Sequence, residues 1–125
     1  MIFLTVEQAL EVHHDQIERF GGAHGLRDEG AFKSALDAAE NRAYYESADV
    51  VTCAATYAFH LCQAHAFIDG NKRIAAAVML IFLDINGREL VSDDEENIAL
   101  FLSVASGQTS RDQLEEFLRA RVRVS

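Results

Sequence analysis

Apolar positions along the chain recur mainly at helical spacing, and each run is bounded by recognisable start and stop signals. Thr5 to Gln8 reads as a Thr-x-x-Gln capping box, with Val6, Leu10, His13, Ile17 and Phe20 following on roughly one face of a first helix. Gly21 and Gly22 stop it. After the loop GGAHGLRDEG, Asp28 is placed to cap a second helix whose inner positions are Phe32, Ala35, Leu36 and Ala39. The spacing predicts a third helix from about Ala48 to His65, and VVTCAATYAFHLC is apolar nearly all round, which suits a central, buried element. A fourth starts near Asn71 and ends at Asn86-Gly87. Ser92 to Glu95 reads as another capping box, ahead of Ile98, Phe101, Leu102, Ala105 and a stop at Gly107. Ser110 to Gln113 is a third, ahead of Leu114, Phe117 and Leu118. The strand candidate is the short GRELV, residues 87–91. With no proline, repeat or linker, the pattern predicts one all-α domain over residues 1–125, a compact bundle of about six helices.

Composition narrows what such a bundle does. Its 125 residues suffice to bury a core without disulfides or a structural metal. A formal charge of −9 argues against a broad nucleic-acid surface, which needs Lys and Arg to neutralise phosphates. The longest apolar stretch, Ile74 to Leu83, is too short to cross a bilayer, and MIFLTVEQAL lacks the basic start and cleavage site of a secretory signal. The expectation is a cytoplasmic protein with no membrane and no direct nucleic-acid partner. Cys53 and Cys62 have neither zinc-knuckle nor redox-pair spacing and lie in apolar surroundings, so they read as buried free thiols.

Residues 65–73, HAFIDGNKR, put two adjacent cations where a helix start disfavours them. Lys72 and Arg73 stand at the start of a helix, where the backbone already carries partial positive charge. Around a bound polyphosphate the same cations add to the field of the first helical amides, which lack intrahelical partners, and Gly70 lets a ligand approach the backbone. Asp69 offers the hard oxygen that Mg²⁺ prefers when it also bridges phosphates, and His65 supplies an imidazole, the side chain that most often serves as a general base. Such a kit suits phosphoryl transfer, which needs mainly positioning and charge stabilisation. On the residues alone a plainer reading stands beside it: a polar helix end at His65, a capped turn at Asp69-Gly70-Asn71, and solvated cations. Phe67 reads as a core plug between the flanking helices.

HAFIDGNKR resembles the signature of the Fic/Doc superfamily, His-x-Phe-x-Asp/Asn-Gly/Ala-Asn-Lys-Arg in its death-on-curing (Doc) branch. The segments ERFGGAHGLRDEGAFKSAL and ATYAFHLCQAHAFIDGNKRIAAAVMLIFLDING and the closing helices extend the likeness over essentially the whole chain. The resemblance implies an all-helical Fic-type fold. It implies that His65 is the catalytic base, that Phe67 anchors the motif loop in the core and that Asp69 holds the metal. Gly70, Asn71, Lys72 and Arg73 fall at the nucleotide- and phosphate-binding positions. Ala66 stands where the wider Fic pattern has proline. Lys72 replaces the glycine of adenylyl-transferring relatives and Ala76 their second arginine. A long side chain at 72 crowds the cradle used for the α- and β-phosphates, and both changes point to the kinase-like Doc branch.

The resemblance further implies ATP as substrate with Mg²⁺, transfer of the γ-phosphate to a threonine of elongation factor Tu, arrested translation, and a Phd-like antitoxin as partner. An adenylylating enzyme and a catalytically silent partner- or nucleotide-binding module are the alternatives. Ser92 to Asn97, SDDEEN, also fits the inhibitory Ser/Thr-x-x-x-Glu-Gly/Asn helix of self-restrained Fic proteins, but a capping box with acids in its first turn is the expected role. His13, His14, His24 and His60 remain to be weighed as metal ligands, with one of His13 and His14 expected on the inner edge of its helix. Arg27, Asp28 and Lys33 are expected near the rim of the site, without assigned roles.

Overall fold

Side-chain caps set where most of the helices begin. The computed structural model describes residues 1–125 and contains six helices: α1 (Val6–Phe20), α2 (Glu29–Glu46), α3 (Val50–Ala64), α4 (Asn71–Ile85), α5 (Asp94–Ala105) and α6 (Arg111–Arg121). Thr5 and Gln8, and Ser110 and Gln113, form the reciprocal boxes that open α1 and α6. Asp28 accepts from the amide of Ala31 and Asp49 from that of Thr52, opening α2 and α3. The box before α5 lies one residue later than the pattern predicts. Asp93 is the cap, with Glu96 reaching back to it, while the Ser92 hydroxyl donates to Asn97 Oδ1 instead. Ser and Asp are near-equal caps, so the sequence left the register open and the bond to Asn97 decided it.

α3 and α4 form the centre. α2 and α6 pack on α3, α1 lies against α4, and α5 covers the ends of both. Tyr57 and Phe82 meet in the middle with ring centroids 5.0 Å apart. Phe32, Ala35, Leu36 and Ala39 of α2 are buried as the spacing predicts, and so are both free thiols. Burial pushes the Cys53 thiol up to about 11, which keeps it protonated and inert. Phe20 departs from expectation: it sits in the last turn of α1, beyond the packed face, and is exposed. In α5 the core takes Leu100, Phe101 and Val104, whereas Ile98 and Leu102 face outward.

The predicted strand forms as β1 (Arg88–Leu90) and pairs antiparallel with β2 (Val122–Val124), Arg88 opposite Val124. β2 carries no pattern of its own that three residues could display. It is strand because α6 delivers it to the edge of β1. No helix is long and apolar enough to cross a membrane.

Candidate active site

The motif loop joins the two central helices. α3 ends at His65, whose backbone is left-handed at φ 48° and ψ 39°, and α4 begins after Gly70 at φ 78°. Between them Ala66 and Phe67 turn inward and are buried, while Ile68 and Asp69 face solvent. Phe67 stacks on the buried His13 ring at 3.7 Å and meets Phe32 edge-on at 5.1 Å, within the core.

The Asn71 side chain clasps the loop. It accepts from the Phe67 amide and donates to the Phe67 carbonyl, each at 3.0 Å. That pair of hydrogen bonds to one residue's backbone fixes the turn from inside. It also leaves Gly70 as N-cap, so α4 is the one helix of six without a side-chain cap. The amides at its start lie open, in the arrangement that accepts an anion.

Asp69 faces this end. Its carboxylate accepts from the amides of Ala23 at 3.2 Å and Gly70 at 2.8 Å. These two bonds, and then the Arg73 guanidinium, hold its carboxyl below the usual range and keep it ionised. Arg73 extends back to α1, where Nη1 donates to the Gln16 carbonyl at 3.3 Å. Lys72 is exposed. Both cations border a cleft of about 230 Å³ whose other walls are Ala76, Asn97, Ile98, Phe101 and Leu102, between α4 and α5. The His65 imidazole is exposed beside this loop. The structure therefore brings His65, Asp69, Gly70, Lys72 and Arg73 to one end of the α3–α4 pair, with Phe67 and Asn71 directed inward as supports.

The Fic/DOC family model matches residues 3–83, well over half of the chain and the whole of this loop. The chain belongs to the Fic/Doc family. It is also 32% identical over 120 residues, covering 95% of the chain and 94% of the relative, to the protein kinase doc of Escherichia phage P1.

Several residues of this Fic/Doc site carry no role in the sequence pattern. The loop between α1 and α2 lies along the motif loop. Its Gly25 carbonyl accepts from Ile68, and the Arg27 and Asp28 amides both donate to the Ala66 carbonyl. Arg27 Nη2 donates to the His65 carbonyl at 2.7 Å, which ties down the left-handed turn. His13 Nε2 donates to the Asp69 carbonyl at 2.8 Å, and burial lowers its pKa, so it acts as a neutral strut. Gly22 has no room for a side chain beside the charged pair: a Cβ there would lie 2.6 Å from Asp69 Oδ2 and 2.9 Å from Arg73 Nη2. A Gly in a glycine pair reads as a helix stop, so this steric role was legible only as a turn.

Other candidates fall away from the site. Lys33 pairs with Glu29 on the surface at 2.9 Å. His60 Nε2 accepts from Arg111 at 3.2 Å, away from the motif loop. Glu96 is committed twice, to the Asp93 amide and to Arg121 at 3.0 Å, so its carboxylate serves α5 and α6.

Proposed function

We propose that this Fic/Doc chain is a kinase-type phosphotransferase that moves the γ-phosphate of ATP to a hydroxyl of a protein, and acts as a translation-arresting toxin restrained by a Phd-like antitoxin. The reading rests on one observation above the others: across nearly its full length the chain resembles a protein named a kinase. The uncapped start of α4, flanked by Lys72 and Arg73, supports it as a phosphate cradle.

In this reading the His65 imidazole takes the proton of the target hydroxyl. The hydroxyl oxygen attacks the γ-phosphorus, the bond to the β–γ bridging oxygen breaks, and ADP leaves. The amides at Asn71 to Arg73, with Gly70 allowing close approach, receive phosphate oxygens, and the Lys72 and Arg73 charges offset the anion. Asp69 fits the metal role: it is ionised and exposed, and two backbone bonds leave part of its acceptor capacity free. Mg²⁺ held there would supply charge neutralisation on the phosphates. Lys72 and Ala76 favour γ-transfer over adenylylation, because the first narrows the cradle and the second supplies no further phosphate clamp. A threonine of elongation factor Tu is the target the resemblance favours.

ATP labelled at the α- or the γ-phosphate, incubated with a bacterial translation extract and either the intact chain or His65→Ala, tests this. Label on a protein from the γ position alone, and only with the intact chain, is the expected result. Transfer from the α position would make the chain an adenylylating enzyme. No transfer from either would favour a silent binding module.

A further inference from the structure

Three ligating side chains converge on the outer face of α1. His14 and Glu18 lie one turn apart on that helix, and His24 reaches back to them from the following loop. His24 Nε2 lies 2.9 Å from Glu18 Oε1, and His14 Nε2 lies 3.8 Å from the same oxygen. The two imidazole rings are 4.8 Å apart and tilted by 31°. All three donor atoms fall within 4.8 Å of one another. Two ligands held tetrahedrally on one Zn²⁺ at ordinary bond lengths sit ~3.4 Å apart. The separations from Glu18 straddle that value, so small rotations of three exposed side chains would close the set around an ion.

We propose that His14, Glu18 and His24 form a divalent transition-metal site, with Zn²⁺ the fitting ion and water completing its shell, which fastens the glycine-rich loop to α1. Two imidazoles and one carboxylate match Zn²⁺; Mg²⁺ and Ca²⁺ prefer oxygen throughout. Glu11, one turn before His14 and also exposed, adds to a field that the net charge of −9 already makes attractive to cations. Glu18 is the polar partner of both imidazoles, so the bond that yields to an ion, from the His24 Nε2–H to Glu18, lies between two of the ion's own ligands, and binding releases that proton.

The position gives the ion something to do. Ala23, beside His24, donates its amide to Asp69, and Gly25 accepts from Ile68. The loop that supports the motif carries positive φ at Gly21, Gly22 and Gly25, and such a segment has much freedom to lose. A metal clip closing it against α1 removes that freedom from the open state and holds the Ala23 amide under the Asp69 carboxylate.

The test uses tag-free, metal-stripped chain, titrated calorimetrically with Zn²⁺ and, separately, Mg²⁺. Expected are one Zn²⁺ per chain and no Mg²⁺ at this site, with affinity for Zn²⁺ falling at least tenfold in His14→Gln and in His24→Gln but persisting in His65→Gln. Both substituted positions are exposed, and unchanged Tm in the absence of metal checks that the variants fold. Zn²⁺ at ten times Kd should raise Tm of the intact chain by on the order of 5 °C and slow amide exchange over residues 21–28. No Zn²⁺ uptake, undiminished uptake in both histidine variants, or loss confined to His65→Gln would overturn the site. Uptake with unchanged exchange in the loop would overturn its fastening role.

Discussion

His65 holds a conformation that works against stability. A non-glycine residue at φ 48° costs roughly 1 kcal/mol relative to glycine, and Arg27 is what keeps the carbonyl there. His65→Gly should therefore be more stable than the intact chain by about 1 kcal/mol in denaturant melts, while His65→Ala, still left-handed, gains little. Both should lose about 10²- to 10⁴-fold in phosphotransfer if the imidazole is the base. A glycine variant that is less stable would mean the imidazole itself stabilises the turn. Gly22 makes the opposite case. Gly22→Ala forces the new Cβ against Asp69 and Arg73, whereas a Cβ at Gly21 meets nothing within 4 Å. Both positions have positive φ, so Gly21→Ala measures backbone strain alone. Kinetics should show at least a tenfold loss of activity for Gly22→Ala and much less for Gly21→Ala. His65, Asp69, Lys72 and Arg73 were legible as candidates because their chemistry is local and breaks a helix-start rule. His13, Gly22 and Arg27 were not, because their roles arise from contacts with the motif loop some 38 to 56 positions away.

At the scale of elements, caps did much of the work of specification, and the one uncapped helix start is where the candidate site lies. The capping pattern was readable wherever a single residue offered itself, and slipped by one where Ser92 and Asp93 competed. Glu96→Gly tests the competing view of the α5 start. Losing the reciprocal cap and the Arg121 pair, with glycine in the first turn, should cost about 1–2 kcal/mol, and phosphotransfer should stay unchanged. A several-fold rise in activity without antitoxin would mean that Glu96 restrains the enzyme after all. Asp49 joins α3 to α6: it caps Thr52 and takes Arg119 in a two-pronged pair at 2.9 and 3.1 Å. That pair, above all, holds its carboxyl well below the usual carboxylate range. A depressed native pKa contributes stability that is present above the ordinary value near 3.9 and fades as pH falls through the lowered one. Asp49→Asn keeps a competent cap but loses the charge, so it should be less stable by roughly 0.5–1 kcal/mol at pH 7. Thermal melts should show that gap closing below about pH 4.

For the whole molecule, the apolar run of α3 and the periodicity of its neighbours were enough to predict a central helix wrapped by others. β2 escaped notice because its pairing with β1 depends on where α6 ends. The closed core makes a last prediction about pH from the alkaline side. Tyr57 is 1% exposed and accepts the Leu4 amide at 3.3 Å, tying the N-terminal segment to the centre of the bundle. Burial pushes its phenol from 10.0 up to about 12. Between those values the unfolded chain has released this proton and the folded chain has not, so folding binds more protons and stability falls as pH rises. The decline should reach on the order of 1–2 kcal/mol from this group by pH 12. Tyr57→Phe removes the titration together with the acceptor for Leu4. It should start about 1 kcal/mol less stable at pH 7 and lose less between pH 10 and 12, so the two stability curves converge. Urea melts at intervals across that range measure it, and parallel curves would mean that the core opens to solvent before the phenol ionises.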